Sequence, residues 1–195
     1  MSELGHIIDV HTHILPGLDD GPATLADAVR MCEAYESHGV RTIVATPPMM
    51  SGRWNVTADD VRRQARALRA ACRERGMHLN VLTGAEVSLR PDLADLVARG
   101  EALTVDEARR YLVVELPSQA VPPFFRVVEE LAAHGVTPVI SHPERSPRLL
   151  RAPGMLAELL AMGCLVQVTS GSLLGRFGSK ARRAAERLIA EGMAC

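Results

Sequence analysis

The residue types best suited to chemistry gather first in "IIDVHTHILPGLDDG", residues 7–21, where an apolar run gives way within a few residues to two histidines, His11 and His13, and three aspartates. On a β-strand, side chains two apart share a face, so this His-x-His pair puts both imidazoles on one side. Imidazole nitrogen and carboxylate oxygen suit manganese, iron or zinc, and two rings on one face can grip one ion. Other apolar runs also stop at polar side chains: "TIVATPP" at Thr46, "NVLTGAE" at Glu86, "YLVVELP" at Glu115, and "PVISHPER" at His142, Glu144 and Arg145. A carboxylate such as Glu86 can bridge two ions. Two ions roughly 3.5–4 Å apart can hold a hydroxide, formed by lowering a bound water's pKa to about 7, and clamp a phosphoryl group for in-line attack. Metal-dependent phosphoester hydrolysis is the chemistry this set supports. Taken singly, each member has an ordinary reading: a hydrogen-bonded histidine pair, a capping Glu115, a surface Arg145. Recurrence at successive strand ends favours the metal.

The elements that must position these residues follow a repeated grammar. In "ESHGVRTIVAT", "RERGMHLNVLTGAE", "AAHGVTPVISHPE", "LAMGCLVQVTS" and "IAEGMAC", a helical pattern ends at a glycine and a short apolar run follows. Glycine just past a helix end tolerates positive φ, and the run after it reads as a buried strand. Behind Thr24, Leu25, Ala28, Val29 and Cys32 recur at helical spacing, with Asp27 in the capping-box position; Thr57 and Asp60 repeat that start signal. Such alternation implies parallel βα units covered by helices, either an open doubly wound sheet or a closed barrel. Neither G-x-G-x-x-G nor a Walker lysine supports a nucleotide-binding sheet, and "GSLLGRFGSK" ends Gly178-Ser179-Lys180, which is not a P-loop. In a βα barrel the C-terminal strand ends converge, which would gather three histidines and two glutamates into one bowl.

Composition narrows the alternatives. A formal charge of −1, from 22 basic and 23 acidic side chains, gives no global reason to expect nucleic acid or an anionic membrane. No apolar run is long enough to span a bilayer and the N-terminus carries no signal-like pattern, so the expectation is a cytoplasmic protein without membrane insertion. Cys32, Cys72, Cys164 and Cys195 are scattered, without a C-x-x-C pair, and none has the arrangement of a cysteine phosphatase, a thiolate followed at short spacing by an arginine around a phosphate loop. "TSGSLLG" does not supply the G-x-S-x-G of a serine hydrolase. His38, His78 and His134 lie beside glycine-capped helix ends, where the dipole favours a cation, and His6 shares no strand-end position.

In this order along almost the whole chain, "DVHTHILPGLDDGP", "ATP", "GAEV", "LVVELP", "PVISHPER" and "GSLLGRFG" resemble the bacterial manganese-dependent protein-tyrosine phosphatases of the PHP (polymerase and histidinol phosphatase) superfamily, of the capsule and exopolysaccharide type. The resemblance implies an α/β fold, a distorted TIM-like (β/α)7 PHP barrel. It also implies hydrolysis of phosphotyrosine on proteins, typically a bacterial tyrosine kinase, with two or three Mn2+ ions, iron or zinc being the other metals that fit. Carried over residue by residue, it makes His11, His13, Glu86, Glu115 and His142 metal ligands. Arg145 becomes the phosphate-contacting arginine, a role suited to its planar fork, and Asp20 a candidate for proton transfer or for capping its turn.

Two features depart from the pattern. Where the family reads "ATPHH" or similar, this sequence reads "ATPPMM", so Pro48 takes a ligand-histidine position, and Met49 and Met50 are soft thioethers poorly suited to manganese. The family also closes with a strand carrying Asp-x-His, whereas "IAEGMAC" brings the helix, the glycine and only the first residues of a strand. The expectation is a single PHP-type domain over residues 1–195, truncated at its C-terminus, with a strand edge left open. Two alternatives keep the fold: a degenerate, non-catalytic PHP-like domain that binds a kinase or phosphopeptide, and a PHP phosphoesterase acting on a small phosphate ester. Basic density for nucleic acid is low.

Overall fold

Helix, glycine and strand alternate as the repeats predict. The computed structural model describes residues 6–116 and 124–194. In chain order the elements are β1 (Ile7–Thr12), α1 (Leu25–Ser37), β2 (Val40–Ala45), β3 (Pro48–Met49), α2 (Ala58–Glu74), β4 (Asn80–Thr83), β5 (Glu86–Ser88) and α3 (Leu93–Ala98). They continue with β6 (Tyr111–Glu115), α4 (Phe124–Ala133), β7 (Thr137–Ser141), α5 (Pro147–Arg151), α6 (Pro153–Ala161), β8 (Leu165–Gln167), α7 (Ser170–Leu173) and α8 (Gly178–Ala190). The chain divides into two compact units, Met1–Val87 with Val97–Arg109, and Ser88–Leu96 with Arg110–Cys195.

In the first unit β1, β2 and β4 form a parallel sheet in that order, and β3 pairs parallel with β5. Its helices start where the sequence says. Thr24 and Thr57 each accept from the backbone N–H three residues on, and Asp27 and Asp60 return the bond, which completes two capping boxes. Removing one is a clean test of local stability: Thr57→Ala should cost about 1 kcal/mol, seen as a lower urea midpoint at unchanged m-value. Within α2, Val61, Ala65, Leu68 and Cys72 are buried at helical spacing and pack on β4 and α1. Leu25 departs from its expected place in the α1 stripe: it is 39% exposed, because the first helical position precedes the turn that Ala28, Val29 and Cys32 press into the core.

Two runs read as single strands are each two. "TIVATPP" ends as β2 at Ala45 and resumes as β3 at Pro48, because Thr46 turns inward and bonds the Thr12 carbonyl through its N–H at 2.9 Å. Thr46 is fully buried in that fastening and is therefore a structural residue. "NVLTGAE" likewise splits into β4 and β5 at Gly84, where a Cβ would stand 3.0 Å from the Val44 side chain. The break moves Glu86 off the β2–β4 ladder and into register with Pro48.

In the second unit β6, β7 and β8 are parallel neighbours. The glycines that close the five repeats, at 39, 76, 135, 163 and 192, all have positive φ, as the capping argument requires. His38 and His134 each set Nδ1 2.8 Å from a last-turn carbonyl, those of Ala34 and Glu130, so these two histidines serve helix ends. Cys32, Cys72 and Cys164 are buried and free, and Cys195 lies outside the described residues. Among the described residues β1 pairs with β2 alone and leaves Ile8 56% and Val10 42% exposed. No helix among them is long and apolar enough to cross a membrane.

Candidate metal centre

The site of the first unit begins with an irregularity in β1. The β1–β2 register slips between Asp9 and Thr12, and the His11 N–H donates to the Asp9 carboxylate at 3.0 Å instead of to the ladder. Such slips re-aim side chains beside functional sites. The two imidazoles share a face as the spacing requires, with ring centroids 5.8 Å apart and planes inclined at 43°.

Glu86, first residue of β5, is buried and places one carboxylate oxygen at each ring. Oε1 lies 3.5 Å from His11 Nε2 and Oε2 lies 3.8 Å from His13 Nε2. These separations exceed the usual hydrogen-bond range. Donors each about 2.0–2.2 Å from a common ion stand roughly 3.0–3.6 Å apart, close to what is seen here. The loop after β1 adds two carboxylates. Asp20 Oδ1 lies 3.0 Å from His13 Nδ1, and Asp19 Oδ2 lies 3.5 Å from the same nitrogen. The Asp19 side chain is fully buried; its Oδ1 accepts the Gly21 N–H at 2.8 Å, while Oδ2 has no hydrogen bond among the described residues. A buried carboxylate oxygen left without a hydrogen bond is costly, and a cation is the kind of partner that offsets it. Gly21 makes this return of the loop possible, because a Cβ there would stand 2.4 Å from the His13 carbonyl oxygen.

Electrostatics follow from this crowding. Burial alone would lower the His13 pKa, but the nearby Glu86 carboxylate, the bond to Asp20 and the charge of Asp19 outweigh it and push it up to about 9. Burial raises the Asp19 pKa, and the bond from His13 lowers that of Asp20. Asp20 is thus an ionised acceptor that turns the His13 ring, leaving Nε2 toward Glu86, while Asp19 caps the turn at Gly21. An Asp20→Asn variant should accordingly bind metal about 10- to 100-fold more weakly in a metal titration.

Pro48 stands directly opposite Glu86 in the β3–β5 ladder, and it is buried. The Glu86 backbone N–H donates to the Pro47 carbonyl at 3.1 Å, so the ladder turns the position of residue 48's missing N–H away from β5, where a strand tolerates proline. The side chain at this place next to the carboxylate has no donor atom.

In the second unit Glu115 closes β6, and its carbonyl accepts the Leu89 N–H at 3.0 Å. His142 follows β7 in a left-handed conformation, φ 34° and ψ 53°, unusual for a residue other than glycine and directly before a proline. Two bonds hold it there: its N–H donates to the Gln167 carbonyl at 2.8 Å, and its own carbonyl accepts from the Arg145 N–H at 2.9 Å. The resulting 3-10 turn, Pro143–Arg145, buries Glu144 and leaves the Arg145 side chain exposed. Of the residues the sequence singled out, the first unit brings together His11, His13, Glu86 and Asp20, and the second sets Glu115, His142 and Arg145 at the ends of β6 and β7. Asp19 was missed as a site residue; its signal was the Asp-Asp doublet, of which spacing cannot tell the inward member from the outward one.

Parallel strands that end in imidazole and carboxylate donors place the chain among the α/β proteins whose function resides at their strand ends. The chain belongs to the capsular polysaccharide synthesis CpsB/CapC family, whose model matches residues 7–194. The tyrosine-protein phosphatase YwqE of Bacillus subtilis (strain 168) is 34% identical over 184 residues, 94% of this chain and 72% of that protein. The putative tyrosine-protein phosphatase CapC of Staphylococcus aureus is 31% identical over 189 residues, covering 96% and 74%. A solved structure from the pair YwqE of Bacillus subtilis and CpsB of Streptococcus pneumoniae, described as unique metal-dependent tyrosine phosphatases, superposes with a TM-score of 0.89 at 33% identity, over 96% of this chain and 76% of that one. A mutant organophosphorus hydrolase from Deinococcus radiodurans, 15% identical with a TM-score of 0.50 over 98% of this chain and 73% of that one, shares the fold alone.

Proposed function

We propose that this chain is a metal-dependent protein-tyrosine phosphatase. The observation that carries the reading is the buried Glu86 carboxylate, with one oxygen toward His11 and the other toward His13, in a chain of a family that includes tyrosine phosphatases. His11, His13 and Glu86, with Glu115 and His142, are the proposed ligands; their hard oxygen and imidazole donors suit Mn2+ first, with iron or zinc as alternatives. When bound, divalent ions supply Lewis-acid polarisation of a phosphoryl oxygen and make water a nucleophile near neutral pH.

The chain's own residues do the rest. Asp20 fixes the His13 ring so that Nε2 remains available, and Asp19 adds buried negative charge that holds cations in place. Arg145 presents a planar fork to the phosphate oxygens and neutralises charge that grows as water adds to phosphorus and the bond to the tyrosine oxygen breaks. A phenol has a pKa of about 10, so the tyrosine oxygen departs with less need of a proton than an alkyl alcohol. Asp20, held ionised by His13, can accept a proton from the attacking water and is not placed to donate one to the leaving group. The substrate proposed is a phosphotyrosine protein, a bacterial tyrosine kinase, in the cytoplasm.

The test is hydrolysis of a phosphotyrosine peptide by the Mn2+-loaded chain. Turnover above the metal-free control that disappears with chelator is expected, and its absence in a folded, metal-bound sample overturns the reading. Faster turnover of small phosphate esters than of the peptide would move the substrate assignment. Pro48 beside Glu86 favours one second reading, a degenerate domain, which predicts phosphopeptide binding that survives chelation without hydrolysis.

A further inference from the structure

Four arginines lie over aromatic rings among the described residues, and one is unlike the rest. The Arg145 guanidinium carbon stands 4.1 Å from the Phe177 ring centroid, whereas the other three pairs lie at 5.0, 5.3 and 5.6 Å. Phe177 is 46% exposed, so its place beneath Arg145 is not explained by burial. Packing holds it there: a Cβ on Gly171 would lie 2.9 Å from Phe177 Cε2, so only glycine lets the ring in. Gly171 belongs to α7, and α7 is tied back to the turn that carries Arg145. Glu144, fully buried, accepts from the Ser172 hydroxyl at 2.6 Å and from the Thr169 N–H at 3.1 Å. The contacts close a ring: Glu144 to α7, Gly171 to Phe177, Phe177 to Arg145, and Arg145 to Glu144 along the chain.

We propose that Phe177 is a positioning residue for the phosphate-contacting Arg145, carried by Gly171 and locked to the same turn by Glu144. An exposed arginine samples many rotamers, and an aromatic face beneath the guanidinium restricts its plane while leaving the N–H fork free for a phosphate. The inference rests on the reading of Arg145 as the phosphate contact.

Two measurements test it. In the metal-free chain, the Arg145 Nε–H proton signal, assigned by its loss in Arg145→Lys, should be shifted upfield by the ring current; Phe177→Leu should abolish that shift and Phe177→Tyr keep it. In the Mn2+-loaded chain, inorganic phosphate measured by calorimetry should bind Phe177→Leu about 3- to 10-fold more weakly, with wild-type affinity restored in Phe177→Tyr. Gly171→Ala, which displaces the ring without deleting it, should weaken phosphate in the same direction and serves if Phe177→Leu does not fold. Unchanged phosphate affinity in folded Phe177→Leu, while Arg145→Ala loses it, overturns the inference alone. Unchanged affinity in Arg145→Ala, or no phosphate binding by the unsubstituted chain, overturns the reading of Arg145 and the inference with it.

Discussion

Replacing Glu86 by glutamine is expected to produce the largest loss in this protein: metal content falling by at least one ion per chain and metal-stimulated kcat/KM falling by about 10³-fold or more. The reason lies in what the side chain faces. Its two oxygens address His11 and His13 separately, so an amide replaces one of the two acceptors with an NH2 donor and removes the negative charge. In the wild-type site that charge also helps raise the His13 pKa to about 9, which is the electrostatic signature of a pocket arranged for a cation. Metal analysis of the purified variant, alongside its thermal unfolding, separates lost ligation from lost fold. A folded Glu86→Gln chain with unaltered metal content would remove Glu86 from the proposed ligand set.

A second large effect is expected in the opposite direction. Pro48→His restores a donor at a buried position in direct register with Glu86, and the neighbouring parallel strand places the two Cα atoms about 4.8 Å apart, within reach of shared ligation. Because residue 48 needs no N–H bond to β5, the new backbone amide takes nothing from that ladder. The expected outcome is one further bound ion per chain and a gain of about 10-fold or more in phosphotyrosine turnover. If the folded variant binds no additional metal, then the proline is not what limits the site, and the degenerate-domain reading loses its main observation.

Much of this molecule was legible in local chemistry. His-x-His on a strand must share a face, because side-chain alternation has a period of two; the observed rings do. Threonine followed three residues later by aspartate must satisfy exposed amides at a helix start, and both boxes are present. Glycines past helix ends must bear positive φ, and those of the five repeats do. Each of these rests on interactions within a few residues, where spacing and geometry are nearly the same thing.

Other decisions depended on which strand lies beside which. That "NVLTGAE" breaks into two strands and hands Glu86 to a new neighbour follows from close approach of Gly84 to Val44, a contact 40 positions apart. Which of two adjacent aspartates turns inward follows from how Gly21 folds under the His13 carbonyl. Phe177 beneath Arg145 needs two segments, residues 143–145 and 169–177, to close on one another. The amino-acid sequence by itself therefore determined the elements and the family, and supplied the proposed donors. Tertiary structure alone decided that Asp20 serves His13, that Asp19 is buried beside it, and that Pro48 stands at the carboxylate, because those outcomes are set by packing between residues whose separation along the chain carries no distance information.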